Sequence, residues 1–177
     1  MQLKQVIKVN RRTSKAVAMG KVQIGGDAPI SVQSMTNTDT RNLAATVEQI
    51  EQLEQAGCEL IRVAVPDQEA AENIDKIKEQ ITIPLIADIH FDHRLALEAL
   101  ERGVDGLRIN PGNIGGGAKV KQLAAVAAQK KVPIRVGVNA GSLEEELLEK
   151  YGHPTAEAMV ESALKHVRIL EKFDFYD

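Results

Sequence analysis

Cysteine is nearly missing from this chain: Cys58 is the only one in 177 residues. That excludes an internal disulfide framework and any CxxC zinc or redox pair built within the chain. A reducing compartment, the cytoplasm, is the matching setting. No apolar run approaches about 18 residues, so no segment reads as a membrane span. No acidic residue precedes Asp27, whereas Lys4, Lys8, Arg11, Arg12, Lys15 and Lys21 do. No apolar stretch follows those charges as a signal peptide requires, and residues 1–15 read as a basic, mobile arm. Neither a nucleic acid nor a membrane is expected as a partner.

What is present describes one ordinary soluble domain: 22 Lys and Arg against 25 Asp and Glu, a net charge of -3, and a hydrophobic fraction of 44%. A chain of this length can bury roughly two-thirds of its unfolded surface and needs no covalent staples.

From residue 30 onward a short apolar run followed by a helical pattern recurs, the signature of βα units around a parallel sheet. The runs are Ile30 to Met35, Leu60 to Val65, Ile83 to His90, Gly106 to Asn110 and Pro133 to Val138. They are dense in Val and Ile, as strands covered on both faces should be. Between them, Leu43, Val47, Ile50 and Leu53 mark one helical face that stops at Gly57. Ile74, Ile77 and Ile81 predict a second helix, Leu95, Ala99 and Leu100 a third, and Val120, Leu123 and Ala127 a fourth. Ser142 with Glu145 has capping-box spacing before an inserted helix over 142–150, and Thr155 can cap a last helix carrying Met159, Leu164, Val167 and Leu170. Ala16 to Met19 and Val22 to Ile24 flank Gly20 and Lys21, which predicts a hairpin beneath the sheet. About five βα units fill the chain, whereas a closed eight-stranded barrel typically needs ~250 residues. The fold is therefore an open α/β sheet or an incomplete TIM-type barrel, and periodicity alone does not choose.

In parallel βα folds the chemistry lies beyond the carboxyl ends of the strands. Polar residues crowd there: Gln33, Ser34, Thr36 and Asn37 at the first strand, Arg62 in the second, Asp88 and His90 at the third, Arg108 and Asn110 at the fourth, Arg135 and Asn139 at the fifth. Strand alternation puts Asp88 with His90, and Arg108 with Asn110, on one side of the sheet. An arginine among Ile, Val and Leu is costly unless it meets an anion. That anion is either a carboxylate of a neighbouring strand or a bound ligand, and three independent structural pairs at one sheet end are the weaker reading. Converging guanidinium forks match phosphate oxygens, and asparagine amides can orient the same oxygens. Asn113 and the three glycines that follow Ile114 could add backbone donors, although the Lys-Ser/Thr of a P-loop is absent. Two other readings stay open. Asp88 and His90, with Asp92 and His93 close by, could hold a metal and make the chain a metal-dependent barrel hydrolase. The chain could equally be a noncatalytic α/β phosphate-binding module. Cys58 reads as a buried small residue rather than a nucleophile.

Four segments at these strand ends are specific in wording: Pro29 to Thr38 (PISVQSMTNT), Ala87 to Asp92 (ADIHFD), Leu107 to Asn113 (LRINPGN) and Ile134 to Ser142 (IRVGVNAGS). Together they closely resemble the 4-hydroxy-3-methylbut-2-en-1-yl diphosphate synthase family, iron-sulfur enzymes of the non-mevalonate isoprenoid pathway. The resemblance implies a TIM-barrel domain followed by a smaller domain holding a [4Fe-4S] cluster. It also implies a two-electron reductive opening and dehydration of 2-C-methyl-D-erythritol 2,4-cyclodiphosphate, with ferredoxin or flavodoxin as electron donor and a homodimer as the working state. By motif, Arg62, Arg108 and Arg135 would bind the diphosphate, and Asp88, His90, Asn110 and Asn139 would line the pocket. The family's cluster ligands, three cysteines and a glutamate, lie in its C-terminal domain, and Cys58 corresponds to none of them. The expectation is thus that residues 16–177 form a partial TIM-barrel substrate domain that binds no cluster, holds no catalytic residue and is inactive alone, ending where a sixth strand would begin.

Overall fold

In the computed structural model, residues 12–115 and 117–177 are described. Most of the basic arm lies outside that range; of the remainder, Ser14 Oγ accepts from Gly26 N at 3.2 Å and Lys15 pairs with Asp177. The hairpin follows as β1 (Val17–Met19) and β2 (Val22–Ile24), paired antiparallel. Then come β3 (Gln33–Met35), α1 (Leu43–Gln55), β4 (Leu60–Ala64), α2 (Gln68–Glu72), α3 (Ile74–Lys78), β5 (Leu85–Ile89), α4 (His93–Glu101) and β6 (Gly106–Ile109). The chain continues through α5 (Pro111–Ile114), α6 (Gly117–Lys130), β7 (Ile134–Val136), a 3-10 turn (Ala140–Ser142), α7 (Glu145–Tyr151) and α8 (Ala156–Glu171).

β3 to β7 form one parallel sheet in sequential order, β3-β4-β5-β6-β7. The sheet curls. Arg135 Nη1 on the last strand donates to Gln33 Oε1 on the first at 3.0 Å. In a flat sheet four strand spacings would separate them by about 19 Å, farther than the two side chains can bridge. The fold is therefore the barrel arc, not the open doubly wound sheet, and it is not closed on itself.

The two faces of the arc differ as alternation requires. Outward, Ile61, Val63, Leu85, Ile89, Leu107 and Ile109 are fully buried against the helices in the main core. Inward and low in the arc, Leu60 and Ile86 pack with Met19 of the hairpin, which closes the bottom of the arc. Inward and high are the charged residues, so Val and Ile density marks the outer face and the floor, not burial on both faces throughout.

Side-chain caps start the helices. Asn42 Oδ1 accepts from Ala45 N at 3.2 Å, Asp67 Oδ1 from Ala70 N at 3.0 Å, and Thr155 Oγ1 from Ala158 N at 3.1 Å. Three expectations need correction. The helix predicted around Ile74 is two short ones broken at Asn73, whose Nδ2 donates to Thr40 O and Arg41 O, both at 3.1 Å; Ile81 lies past the end of α3. Ser142 does not cap α7. Its hydroxyl accepts from Asn139 N at 3.3 Å, so it ends the 3-10 turn, and Glu144 takes the N-cap position. Finally, β3 begins at Gln33 rather than Ile30, because it is an edge strand; Ile30 and Val32 are exposed.

Candidate anion-binding site

The upper inward face is organised around Asp88 on β5. Its side chain is only 4% exposed, so its charge needs partners. Arg62 Nε from β4 lies 3.4 Å from Oδ2, Arg108 Nη1 from β6 donates to Oδ1 at 3.1 Å, and His90 Nε2 lies 3.1 Å from Oδ1. Register explains the meeting, since Asp88 pairs with Arg108 and Arg108 with Arg135 across parallel neighbours, which puts all three on one face. Arg62 also directs Nε and Nη2 at Met35 Sδ, at 3.2 and 3.0 Å. A thioether is a weak acceptor, so this guanidinium is held in place while most of its donor capacity remains for a stronger anion.

Among the described residues, Asp88 is the one carboxylate in ion-pair contact with Arg62 and Arg108, and Arg135 has no carboxylate in such contact. Three guanidinium charges against one carboxylate leave a surplus of two positive charges on an open concave surface. The structural carboxylate foreseen as an alternative partner therefore exists, but it is a single residue shared by two arginines. Next to it is a cleft of about 200 Å³ lined by His90, Phe91, Arg108, Asn110, Asn113, Asn139 and Ser142. Asn110 is buried, and its Nδ2 donates to Ser142 Oγ at 3.4 Å. A surface of guanidinium forks flanked by amides can hold a dianionic phosphate ester and orient its hydroxyls.

The chain was compared with known proteins. The GcpE TIM-barrel domain family matches residues 14–177. The chain belongs to that family. It is 60% identical over 169 residues to the 4-hydroxy-3-methylbut-2-en-1-yl diphosphate synthase (flavodoxin) of Thermodesulfovibrio yellowstonii, covering 96% of this chain and 48% of that protein. It is 63% identical over 162 residues to the protein of the same name from Geobacter sulfurreducens, covering 92% and 46%. The chain thus spans about half the length of the curated relatives it matches. Two solved structures share the fold: dihydropteroate synthase of Yersinia pestis (TM-score 0.63, 11% identity, 91% of this chain and 59% of that one) and of Vibrio fischeri (TM-score 0.63, 15% identity, 93% and 64%).

Within this GcpE domain, Arg62, Asp88, His90 and Arg108 form one contact cluster, and Asn110 and Asn139 share the adjoining cleft with His90 and Arg108. Arg135 stands beside Arg108 in register but spends a donor on Gln33 across the arc. The hydrolase reading loses ground here, because two guanidinium groups already occupy the Asp88 carboxylate and repel a cation. Asp92 borders a pocket together with Asp88 and His90, but its carboxylate is already engaged: it caps α4 by accepting from Arg94 N at 2.9 Å, and pairs with the Arg94 guanidinium. The bonds to Arg94, side chain first and backbone second, lower its pKa to about 2. Of the residues at the site, Met35 was not singled out from the sequence, although its place two positions from Gln33 carried a parity signal, and Ser142 was read only as a helix cap.

A [4Fe-4S] cluster does not fit the residues present. Cys58 is buried in the outer core, and its thiol donates to Leu60 O at 3.0 Å, at the opposite end of the strand from the arginines. Among the described residues no three His, Cys, Asp or Glu side chains converge as metal ligands. No described helix is long and apolar enough to cross a membrane.

Proposed function

We propose that this domain is the substrate-binding half of a 4-hydroxy-3-methylbut-2-en-1-yl diphosphate synthase, and that its inward face receives 2-C-methyl-D-erythritol 2,4-cyclodiphosphate. The carrying observation is the charge surplus: Arg62 and Arg108 share one carboxylate, Asp88, on the concave side of the arc, and Arg135 beside them is bonded only to the neutral Gln33. A cyclic diphosphate gathers its negative charge at one side of a small ring, so guanidinium forks can neutralise it while Asn110, Asn139 and His90 meet the carbon skeleton and its hydroxyls. Electrons for the reductive ring opening must come from a cluster whose ligands lie outside these 177 residues. The relatives' names support flavodoxin as the donor; ferredoxin as an alternative and a homodimeric working state rest on the family resemblance.

The test is calorimetric affinity for the cyclodiphosphate in the full-length enzyme, with Arg62→Lys, Arg108→Lys and Arg135→Lys each compared with the parent after folding is checked. Lysine keeps the charge and loses the forked geometry, so each variant should cost about 1–3 kcal/mol of binding. Three variants that fold and bind like the parent would return the arginines to the scaffold and sink the assignment.

A further inference from the structure

The inward alternation of β7 runs on past Arg135 to Gly137, the residue after the strand's end, and there the side chain is missing. The backbone at Gly137 is fixed by the sheet, its N–H donating to Ile109 O at 2.8 Å. Its φ lies outside the left-handed region, so no backbone conformation calls for glycine. What calls for glycine is Arg108. A Cβ at position 137 would stand 2.1 Å from Arg108 Nε and 2.3 Å from Cζ and Nη2. No non-bonded Cβ sits that close to another heavy atom.

We propose that Gly137 is a positioning residue of the anion site: the bare Cα just past β7 provides the space in which the Arg108 guanidinium lies, 3.1 Å from Asp88 Oδ1 and turned to the cleft. The proposal rests on the reading of Arg108 as an anion ligand. A methyl group at 137 meets the far end of a flexible side chain, while its own backbone is held by the β6–β7 ladder. The side chain therefore yields and the sheet does not. The guanidinium is driven off Gly137, away from its place between Asp88 and the cleft, and the fold survives. Gly106 makes the contrast. A Cβ there would meet Met19 Cε and Sδ at 2.8 Å, so that glycine serves the apolar floor of the arc and not the charged surface above it.

The experiment is a double-mutant cycle in the full-length enzyme: parent, Gly137→Ala, Arg108→Ala and the double variant, each titrated with 2-C-methyl-D-erythritol 2,4-cyclodiphosphate by calorimetry and each unfolded in urea. Gly137→Ala should weaken binding about tenfold to a hundredfold, the size of a lost charged hydrogen bond, with its unfolding midpoint near the parent's. In the Arg108→Ala background the same substitution should change affinity less than about twofold, because the atoms it displaces are gone. Parent-like binding by Gly137→Ala overturns the proposal, and so do losses that multiply in the double variant. If Gly137→Ala fails to fold, Arg108→Ala must restore the fold; failure to restore it puts the demand for glycine in the backbone and also overturns the proposal. Parent-like binding by Arg108→Ala alone is a different failure: it removes the anion-site reading, and this inference with it.

Discussion

Two carboxylates in this domain are ringed by cationic groups, and they do different work. Asp88 sits at the strand ends with Arg62, Arg108 and His90 around it. Glu144, at the N-cap of α7, faces α8: its Oε2 accepts from Ser162 Oγ at 2.8 Å, and its Oε1 lies 3.0 Å from His166 Nε2 and 3.8 Å from Lys165 Nζ. Around Glu144 there is no positive surplus, since Lys165 is shared with Glu146, and Ser162 and His166 are buried between elements of the fold. Around Asp88 the positive charge is in surplus and faces open space. A carboxylate among cations is therefore no evidence of a binding site. The surplus and the open side make the difference.

Removing each carboxylate should separate the two roles. Glu144→Ala strips the buried Ser162 hydroxyl of its hydrogen-bond partner, and leaving that group unpaired should cost about 2–3 kcal/mol in urea unfolding. Affinity for the diphosphate should stay at the parent value. A loss of affinity without a loss of stability would reverse the assignment of the two clusters.

Asp88→Asn should cost somewhat less, about 1–3 kcal/mol, because water reaches Arg62 and His90 and screens the charges left behind. Pyrophosphate should restore part of that loss, and should raise the unfolding midpoint of the variant more than that of the parent, since the guanidinium groups no longer share a carboxylate. An equal rise in both proteins would mean that the anion binds elsewhere.

Asp92, four residues along, tests how far the anion site extends. Asp92→Ala removes the α4 cap and should cost about 1 kcal/mol of stability. Because Asp92 serves Arg94 and the helix start, the diphosphate affinity should not change. The hydrolase reading expects the reverse, a loss of ligand binding or activity with little effect on unfolding.

Which parts of this were legible beforehand follows from periodicity. Alternation placed Asp88, His90, Arg108 and Asn110 on one face, because register preserves parity across parallel strands. The order of the strands followed from right-handed crossovers between adjacent units. Curvature of the sheet was not legible in periodicity, since the contact that proves it joins Gln33 to Arg135 across 102 positions. The break at Asn73 was hidden because its amide bonds to the distant carbonyls of Thr40 and Arg41, which no helical pattern encodes. Ser142 misled for a related reason: its hydroxyl had a nearer claimant in Asn139. Gly137 carried no signal at all, because a glycine chosen to make room for another residue looks the same in sequence as one chosen for a turn.

The smallest expected effect is a change of slope with pH, at the Glu144 cluster. Burial pushes the His166 imidazole below its ordinary value of 6.5, and the Glu144 charge opposes that only in part. For Glu144 burial acts upward, but the Ser162 and backbone bonds and the charges of His166 and Lys165 outweigh it, so its carboxyl lies below 4.5. His166 Nε2 and Glu144 Oε1, 3.0 Å apart, are out of line for a hydrogen bond, which fits a neutral ring. Both shifts have the same sign. Each group takes up a proton more readily in the unfolded chain, so acid favours unfolding: stability is full above about 6.5, and the His166 share is lost as pH falls through the window below it. The Glu144 share follows only below about 4.5, so between pH 7 and 5 the imidazole governs. His166→Gln should flatten the decline of unfolding free energy across that window while leaving the plateau near pH 7 little changed. Urea unfolding of parent and variant at pH 7, 6 and 5 measures it. Parallel curves would mean that His166 is a paired imidazolium, and that the α7–α8 cluster of two carboxylates, an ammonium and an imidazolium is neutral overall.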